Sequence, residues 1–274
     1  MIGVGTFKTT DRMRTLVNEV LNSERLSYGD KSRAFEAQFA NLHDCNFAVL
    51  SNSGTSSLQV ALQAMKELYH WNDGDKVIVP AVTFVATVNI ILHNRLIPVF
   101  ADVDPVTYNL DPDTMPIDET TRCIIPVHLF GQPASMLDIG LVAGDYKLRI
   151  IEDSCESMFA MHYGMKVGSM GDIGCFSTYV AHLITTGVGG ISTTNNPMLA
   201  SRMRSLVNHG RDGIYISIDD DNDVGEAKLK EIIERRFKFI YEGHSYRITE
   251  LEAAIGLAQL DNWEDMIATR VANA

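Results

Sequence analysis

The chain has 274 residues, 46% of them hydrophobic and 21% charged, with a formal net charge of −12. This is the composition of a globular protein that can bury a full core, either one large domain or one domain with part of another. The acidic balance argues against nucleic acid or an anionic membrane as the main partner, although one local pocket can still oppose the net field for a small anion.

Residues 10–25 place Met13, Leu16, Val17, Val20 and Leu21 at helical spacing behind a Thr/Asp start. A turn at 27–30 precedes a second amphipathic helix at 31–42, with Phe35, Phe39 and Leu42 on one stripe. A short strand at 47–50 runs into Ser51-Asn-Ser-Gly-Thr-Ser-Ser57, and 56–68 is strongly helical. The apolar run 76–79, closed by Pro80, reads as a buried strand; a helix at 83–93 and a strand at 97–101 complete a strand–helix–strand unit, which implies parallel pairing. Asp-rich turns at 102–105 and 111–113 lead to a strand at 122–127, with His128-Leu-Phe-Gly131 at its carboxyl end. A helix at 134–143 leads to a strand at 148–151 that ends in Glu152-Asp153. Strands near 173–176 and 189–193 flank a polar turn that contains His182. Helices follow at 196–208 and 226–237, separated by an acidic loop at 218–223. The last segment, 246–272, is helical with a break near Asp261-Asn262. Alternating strands and helices predict an α/β domain with a mostly parallel sheet, whose ligands gather at the carboxyl ends of the strands. Ser53-Gly54-Thr55, His128, Asp153 and Ser177 fall at such ends.

Cys45, Cys123, Cys155 and Cys175 form no C-x-x-C pair and no metal-ligand pattern, so no metal is expected. Buried free thiols fit a reducing cytoplasm. The N-terminus lacks the apolar core of a signal peptide, and no run approaches the ~18–20 apolar residues of a membrane span.

Five places carry candidate chemistry. The Ser/Gly/Thr run at 51–57 opens a helix, and is either an anion cradle or a serine-rich cap. It is neither a Walker loop nor a G-x-G-x-x-G fingerprint. Asp153 can hold an ionised carboxylate beside a ligand cation or cap the next helix. Phe84, at a strand-to-helix turn, can stack on a flat ring or pack in the core, and His128 is ambiguous in the same way. His182 can carry a proton, since its free pKa lies near neutrality.

Taken as an ordered set, these features resemble the sugar-nucleotide aminotransferase family (DegT-type enzymes, fold type I). The resemblance runs from about residue 10 to the end. It includes Leu26-Ser-Tyr-Gly29, Val77-Ile-Val-Pro80-Ala-Val-Thr-Phe84-Val-Ala-Thr87, Pro126-Val-His-Leu-Phe-Gly131, the Thr-Thr-Gly-x-Gly-Gly stretch at 185–190, and Tyr246-Arg-Ile-Thr-Glu-Leu-Glu-Ala-Ala-Ile-Gly256. It implies a three-layer, aspartate-aminotransferase-like large domain over 1–240. Residues 241–274 would then be a helical segment leading toward a missing or truncated small C-terminal domain.

The resemblance also implies the cofactor pyridoxal 5′-phosphate (PLP) or its amine form (PMP). Gly54, Thr55 and Ser177 would bind its phosphate. Asp153 would pair with the pyridine nitrogen, and Phe84 would stack on the ring. Glu156 stands where the family often has a Gln near the ring hydroxyl. Ser245 stands where it often has an Asn that reaches the neighbouring subunit's phosphate. The implied partners are a nucleotide-linked sugar, an amino acid such as glutamate as amino donor, and a second copy in a homodimer.

The main departure is His182. Transaminating members carry the Schiff-base Lys there, whereas a branch with His consists of sugar 3-dehydratases acting on 4-keto-6-deoxyhexose nucleotides. His182 and the run Glu152-Asp-Ser-Cys155-Glu156 resemble that branch, while Val188 replaces a Glu common to both. A dehydratase of deoxysugar biosynthesis is therefore expected. The alternatives are a family homologue acting on another sugar and a non-catalytic PLP- or sugar-nucleotide-binding protein.

Overall fold

The computed structural model describes residues 7–212, 225–235 and 237–273. The acidic loop expected at 218–223 lies outside them. Helix α1 (Asp11–Asn22) starts where the Thr10 side chain accepts the Met13 N–H, and it buries Met13, Leu16 and Val20. Helix α2 (Asp30–Leu42) buries Phe35 and Phe39. Strand β1 (Phe47–Ser51) leads through a Ser53 N-cap into α3 (Gly54–Leu68), which is buried along most of its length. Next come β2 (Lys76–Pro80), α4 (Val85–His93), β3 (Ile97–Ala101), β4 (Thr121–Ile124), α5 (Met136–Tyr146) and β5 (Arg149–Asp153). A small hairpin, β6 (Met161–His162) and β7 (Met165–Lys166), precedes β8 (Ile173–Ser177) and β9 (Gly190–Thr194). Helices α6 (Pro197–Val207), α7 (Glu226–Arg235), α8 (Glu250–Leu260) and α9 (Trp263–Asn273) follow.

Seven strands form one sheet in the order β1-β9-β8-β5-β4-β2-β3. All neighbours pair in parallel except β9, which is antiparallel to both β1 and β8. The strands alternate faces with period two, and this builds three layers. Val49, Val77, Val79, Ile151 and Cys175 face the core made with α3, α4 and α6. Their neighbours Leu50 and Phe176 face α2 and α8, while Ile78, Ile124 and Ile150 face α5. Helix α8 also packs Ala254 and Ala258 against Met13, Leu16 and Val20 of α1. Among the described residues, no helix is long and apolar enough to cross a membrane.

One expectation needs correction, and two features lie outside what the sequence reading covered. The strand expected over 122–127 ends at Ile124; beyond it only Val127 pairs, in a single bridge to Asp153. Strand β9 runs against the otherwise parallel sheet, a direction that side-chain periodicity does not encode. The hairpin at 161–166 was not anticipated, because two-residue strands carry no periodic signal.

Candidate active site

Parallel strands with crossover helices leave their carboxyl ends open on one edge of the sheet. Here that edge holds a cavity of about 520 Å³, lined by Gly54, Thr55, Phe84, Asp153, Glu156, Ser177 and His182, together with Cys155, Tyr179 and Val188. Seven of the eight residues expected at the site thus come together from four strand ends and the turn after β8. Ser245 does not line the cavity. It is exposed, pairs with Asn208 in an isolated bridge, and its hydroxyl accepts from Arg247 at 3.1 Å.

Gly54 and Thr55 open α3, and the first N–H groups of a helix have no partner within it. Ser53 Oγ takes the Ser56 N–H at 3.0 Å, leaving those of Gly54 and Thr55 at the cavity edge. A Cβ on Gly54 would stand 2.8 Å from Ser177 Cβ and 2.9 Å from Cys155 Sγ, so only glycine lets α3 start this close to the end of β8.

Asp153 is 5% exposed. Thr87 Oγ1 donates to its Oδ2 at 2.8 Å and Cys155 N–H to its Oδ1 at 3.3 Å, and among the described residues no Lys or Arg pairs with it. Burial pushes its carboxyl above the ordinary range, and the two hydrogen bonds only partly offset that. A cation in the cavity would complete the balance.

Phe84 is 70% exposed on the cavity wall, a large apolar surface that the chain itself does not cover. Glu156 is exposed, and its Oε2 accepts the Phe130 N–H at 2.9 Å. Phe130 adopts a left-handed conformation, φ 56°, which turns that N–H toward the carboxylate. The carboxylate in place of a Gln therefore has a backbone donor.

His128, left ambiguous by the sequence, is a buried structural residue. Its Nδ1 accepts the Ala134 N–H, so the ring proton sits on Nε2 and is donated to Glu152 at 3.0 Å. Glu152 also accepts the N–H groups of Gly168, Met170 and Gly171, which anchors the approach to β8.

His182 is half-buried on the turn after β8. Its N–H donates to Tyr179 O at 2.9 Å, and the two rings meet edge to face at 6.3 Å. Among the described residues neither imidazole nitrogen has a hydrogen-bond partner. Desolvation lowers its pKa and the carboxylates of Glu156 and Asp153 oppose this, so at neutral pH the ring is the free base. Thr87, Cys155 and Tyr179 also belong to the site. Thr87 lay inside a recognised stretch, but nothing local in the sequence marked its bond to a residue 66 positions away.

The chain is similar to known proteins in sequence and in fold. GDP-perosamine synthase of Caulobacter vibrioides is 38% identical over 238 residues, covering 86% of this chain and 58% of that protein. The dTDP-4-dehydro-2,6-dideoxy-D-glucose 3-dehydratase of Saccharopolyspora spinosa is 33% identical over 247 residues, covering 86% and 54%. Escherichia coli GDP-4-keto-6-deoxy-D-mannose-3-dehydratase, solved with bound hydrated PLP, superposes with a TM-score of 0.89 at 27% identity, covering 98% of this chain and 70% of that one. The chain spans little more than half the length of the two curated relatives. The sequence pattern of the DegT/DnrJ/EryC1/StrS aminotransferase family matches residues 8–274, and the chain belongs to that family.

Proposed function

We propose that the chain acts in nucleotide-sugar biosynthesis as a PLP/PMP-dependent 3-dehydratase of 4-keto-6-deoxyhexose nucleotides. One observation carries the reading: the cavity position that the resemblance assigns to the Schiff-base Lys holds His182, an imidazole with no hydrogen-bond partner among the described residues. Relatives of both kinds, synthases and dehydratases, match the chain to a similar extent, so the residue at this position is what favours one chemistry over the other.

The cavity residues fit the cofactor's chemistry. The Gly54 and Thr55 N–H groups at the α3 N-terminus, with the Ser177 hydroxyl, would hold the phosphate. Buried Asp153 would face the protonated pyridine nitrogen and gain the cation it lacks. The exposed face of Phe84 would stack on the ring, and Glu156, steadied by Phe130, would lie near the ring hydroxyl. When bound, PMP supplies an amino group for the sugar's C4 ketone and a ring that accepts an electron pair. His182 would take up the proton released at C4′ and deliver one to the hydroxyl at the sugar's C3, which would depart as water. A free-base imidazole suits the first task, and its conjugate acid suits the second. Glutamate would restore the amine form. Ser245 would contribute to the phosphate site of a second copy in a cytoplasmic homodimer.

Incubation with PMP and a 4-keto-6-deoxyhexose nucleotide tests this. Ammonia and a 3-deoxy sugar in equal amounts are expected, and a 4-amino sugar would sink the proposal. Val188, 50% exposed at the cavity where both branches commonly carry Glu, favours a second reading, a sugar-nucleotide- or PLP-binding protein without turnover. Binding with neither product would select it.

A further inference from the structure

We propose that Gln259 of α8, seconded by Arg270 of α9, is a positioning residue that holds the His182 turn against the cavity. The inference rests on the proton-transfer reading of His182. The base of the turn is closed from within: Thr186 N–H donates to Thr178 O at 2.8 Å, and the two threonine hydroxyls lie 2.6 Å apart. Those bonds do not reach the arc 180–185. A second cavity, about 640 Å³, lies on the outer side of that arc, and Ala181 and His182 line both cavities. Ala181 and His182 thus form a wall one chain thick, while the far end of the arc is anchored by Ile184, fully buried in the core cluster that holds Phe35 and Phe176.

Gln259 reaches it from outside. This side chain is 7% exposed and uses its amide in full. Its Oε1 accepts the Thr185 N–H at 3.0 Å, while its Nε2 donates to Thr185 O at 2.6 Å and to Ile255 O at 3.0 Å. One side chain thus grips both backbone groups of a residue three places beyond His182. Arg270 donates to the carbonyl of His182 itself at 3.2 Å. A longer-lived arc fixes where the imidazole stands and how much water reaches it. The charged groups around that ring are Asp153 and Glu156 on the cavity side and Arg270 and Lys8 on the outer side.

The test uses the whole chain without cofactor or sugar, so its failure is distinct from failure of the dehydratase reading. Gln259→Leu removes the grip. Backbone amide exchange at His182, whose N–H is bonded to Tyr179 and not to Gln259, is expected to speed up about tenfold or more. The NMR titration midpoint of His182 is expected to rise toward the ordinary ~6.5 as water enters, with the signals of His43 and His128 unchanged. A merely local role would speed exchange at Thr185 alone. That result in a folded variant, or an equal shift of all three histidines, overturns the proposal. If Gln259→Leu does not fold, Arg270→Ala, at an exposed position, carries the test through His182 amide exchange. Unchanged exchange there overturns it too.

Discussion

Glu250 is the first residue of α8 and is 3% exposed, and it receives four donors from the start of α2. Its Oε1 accepts the N–H groups of Gly29 at 2.8 Å and Ser32 at 2.9 Å and the Ser32 hydroxyl, and its Oε2 accepts the Lys31 N–H at 2.8 Å. A carboxylate here completes the N-terminus of α2 and faces the positive end of its dipole. Glu250→Gln keeps the shape and removes the charge. The better amide orientation leaves oxygen at the three-donor site and sets an NH₂ against Lys31 N–H. That leaves one donor unpaired, at about 1–3 kcal/mol. Three charge-assisted bonds become neutral ones, at roughly 0.5–1 kcal/mol each. The lower cost of burying an amide offsets part of this, so a net loss of about 3 kcal/mol is expected. For a chain of this size that lowers the melting temperature by about 6–12 °C. Urea unfolding followed by circular dichroism measures it, with Glu252→Gln as comparator. Glu252 is a neighbouring, partly exposed carboxylate that among the described residues accepts the Thr249 N–H alone, and its variant should lose less than half as much. A Glu250→Gln protein that melts with its parent would refute the argument that this charge holds the two helices together.

His43 is fully buried, and burial pushes its pKa down to about 3. Its Nδ1 faces Phe39 O and its Nε2 accepts the Phe159 N–H, so the folded state requires the neutral ring. A depressed base contributes its full stability above the unfolded pKa near 6.5 and loses it as pH falls toward 3, up to about 5 kcal/mol in all; urea unfolding of His43→Gln between pH 6.5 and 4.5 should show a shallower slope than the parent, and coincident slopes would exclude this group. Asp153→Asn should melt at or above the parent temperature at pH 7, because the buried carboxyl has a raised pKa and the neutral amide avoids that cost, while PLP binding followed by its absorbance weakens; tighter binding would contradict the proposed role. Gly54→Ala should keep its far-UV spectrum but bind PLP about tenfold or more weakly, since the added methyl must displace Ser177 or Cys155 by several tenths of an ångström.

The α/β alternation was legible because short apolar runs such as Val77-Ile78-Val79 read as strands covered on both faces, and in the structure Val77 and Val79 face one core and Ile78 the other. The site was legible for a different reason. Gly54, Asp153 and Ser177 end strands or open a helix, and parallel topology brings such ends together whatever the loops between them do. What escaped was non-local and mostly made by backbone. The partner of Glu156 is the N–H of Phe130, presented by a left-handed residue that no propensity singles out. The hairpin at 161–166 turns on positive φ at both Tyr163 and Gly164, and a Tyr-Gly pair is a weak signal for such a turn.

Helix α8 links the start of α2 to the turn that carries His182. Read from the sequence, it belongs to a segment leading away from the cofactor domain, and its periodicity gives no reason to think otherwise. In the structure Glu250 ties its first turn to α2, and Gln259 ties its last turn to the arc that carries His182. Between them, Gly256 lies so close to its neighbours that a Cβ there would stand 2.5 Å from the Phe35 ring and 3.1 Å from Thr186 Cγ2. Phe35 belongs to α2 and Thr186 to the turn, so one glycine sets the spacing of all three elements. A side chain three residues beyond the imidazole is gripped only if α8 sits at that depth. The position of His182 therefore depends on how closely α2 and α8 pack, as well as on the end of β8 from which its turn departs.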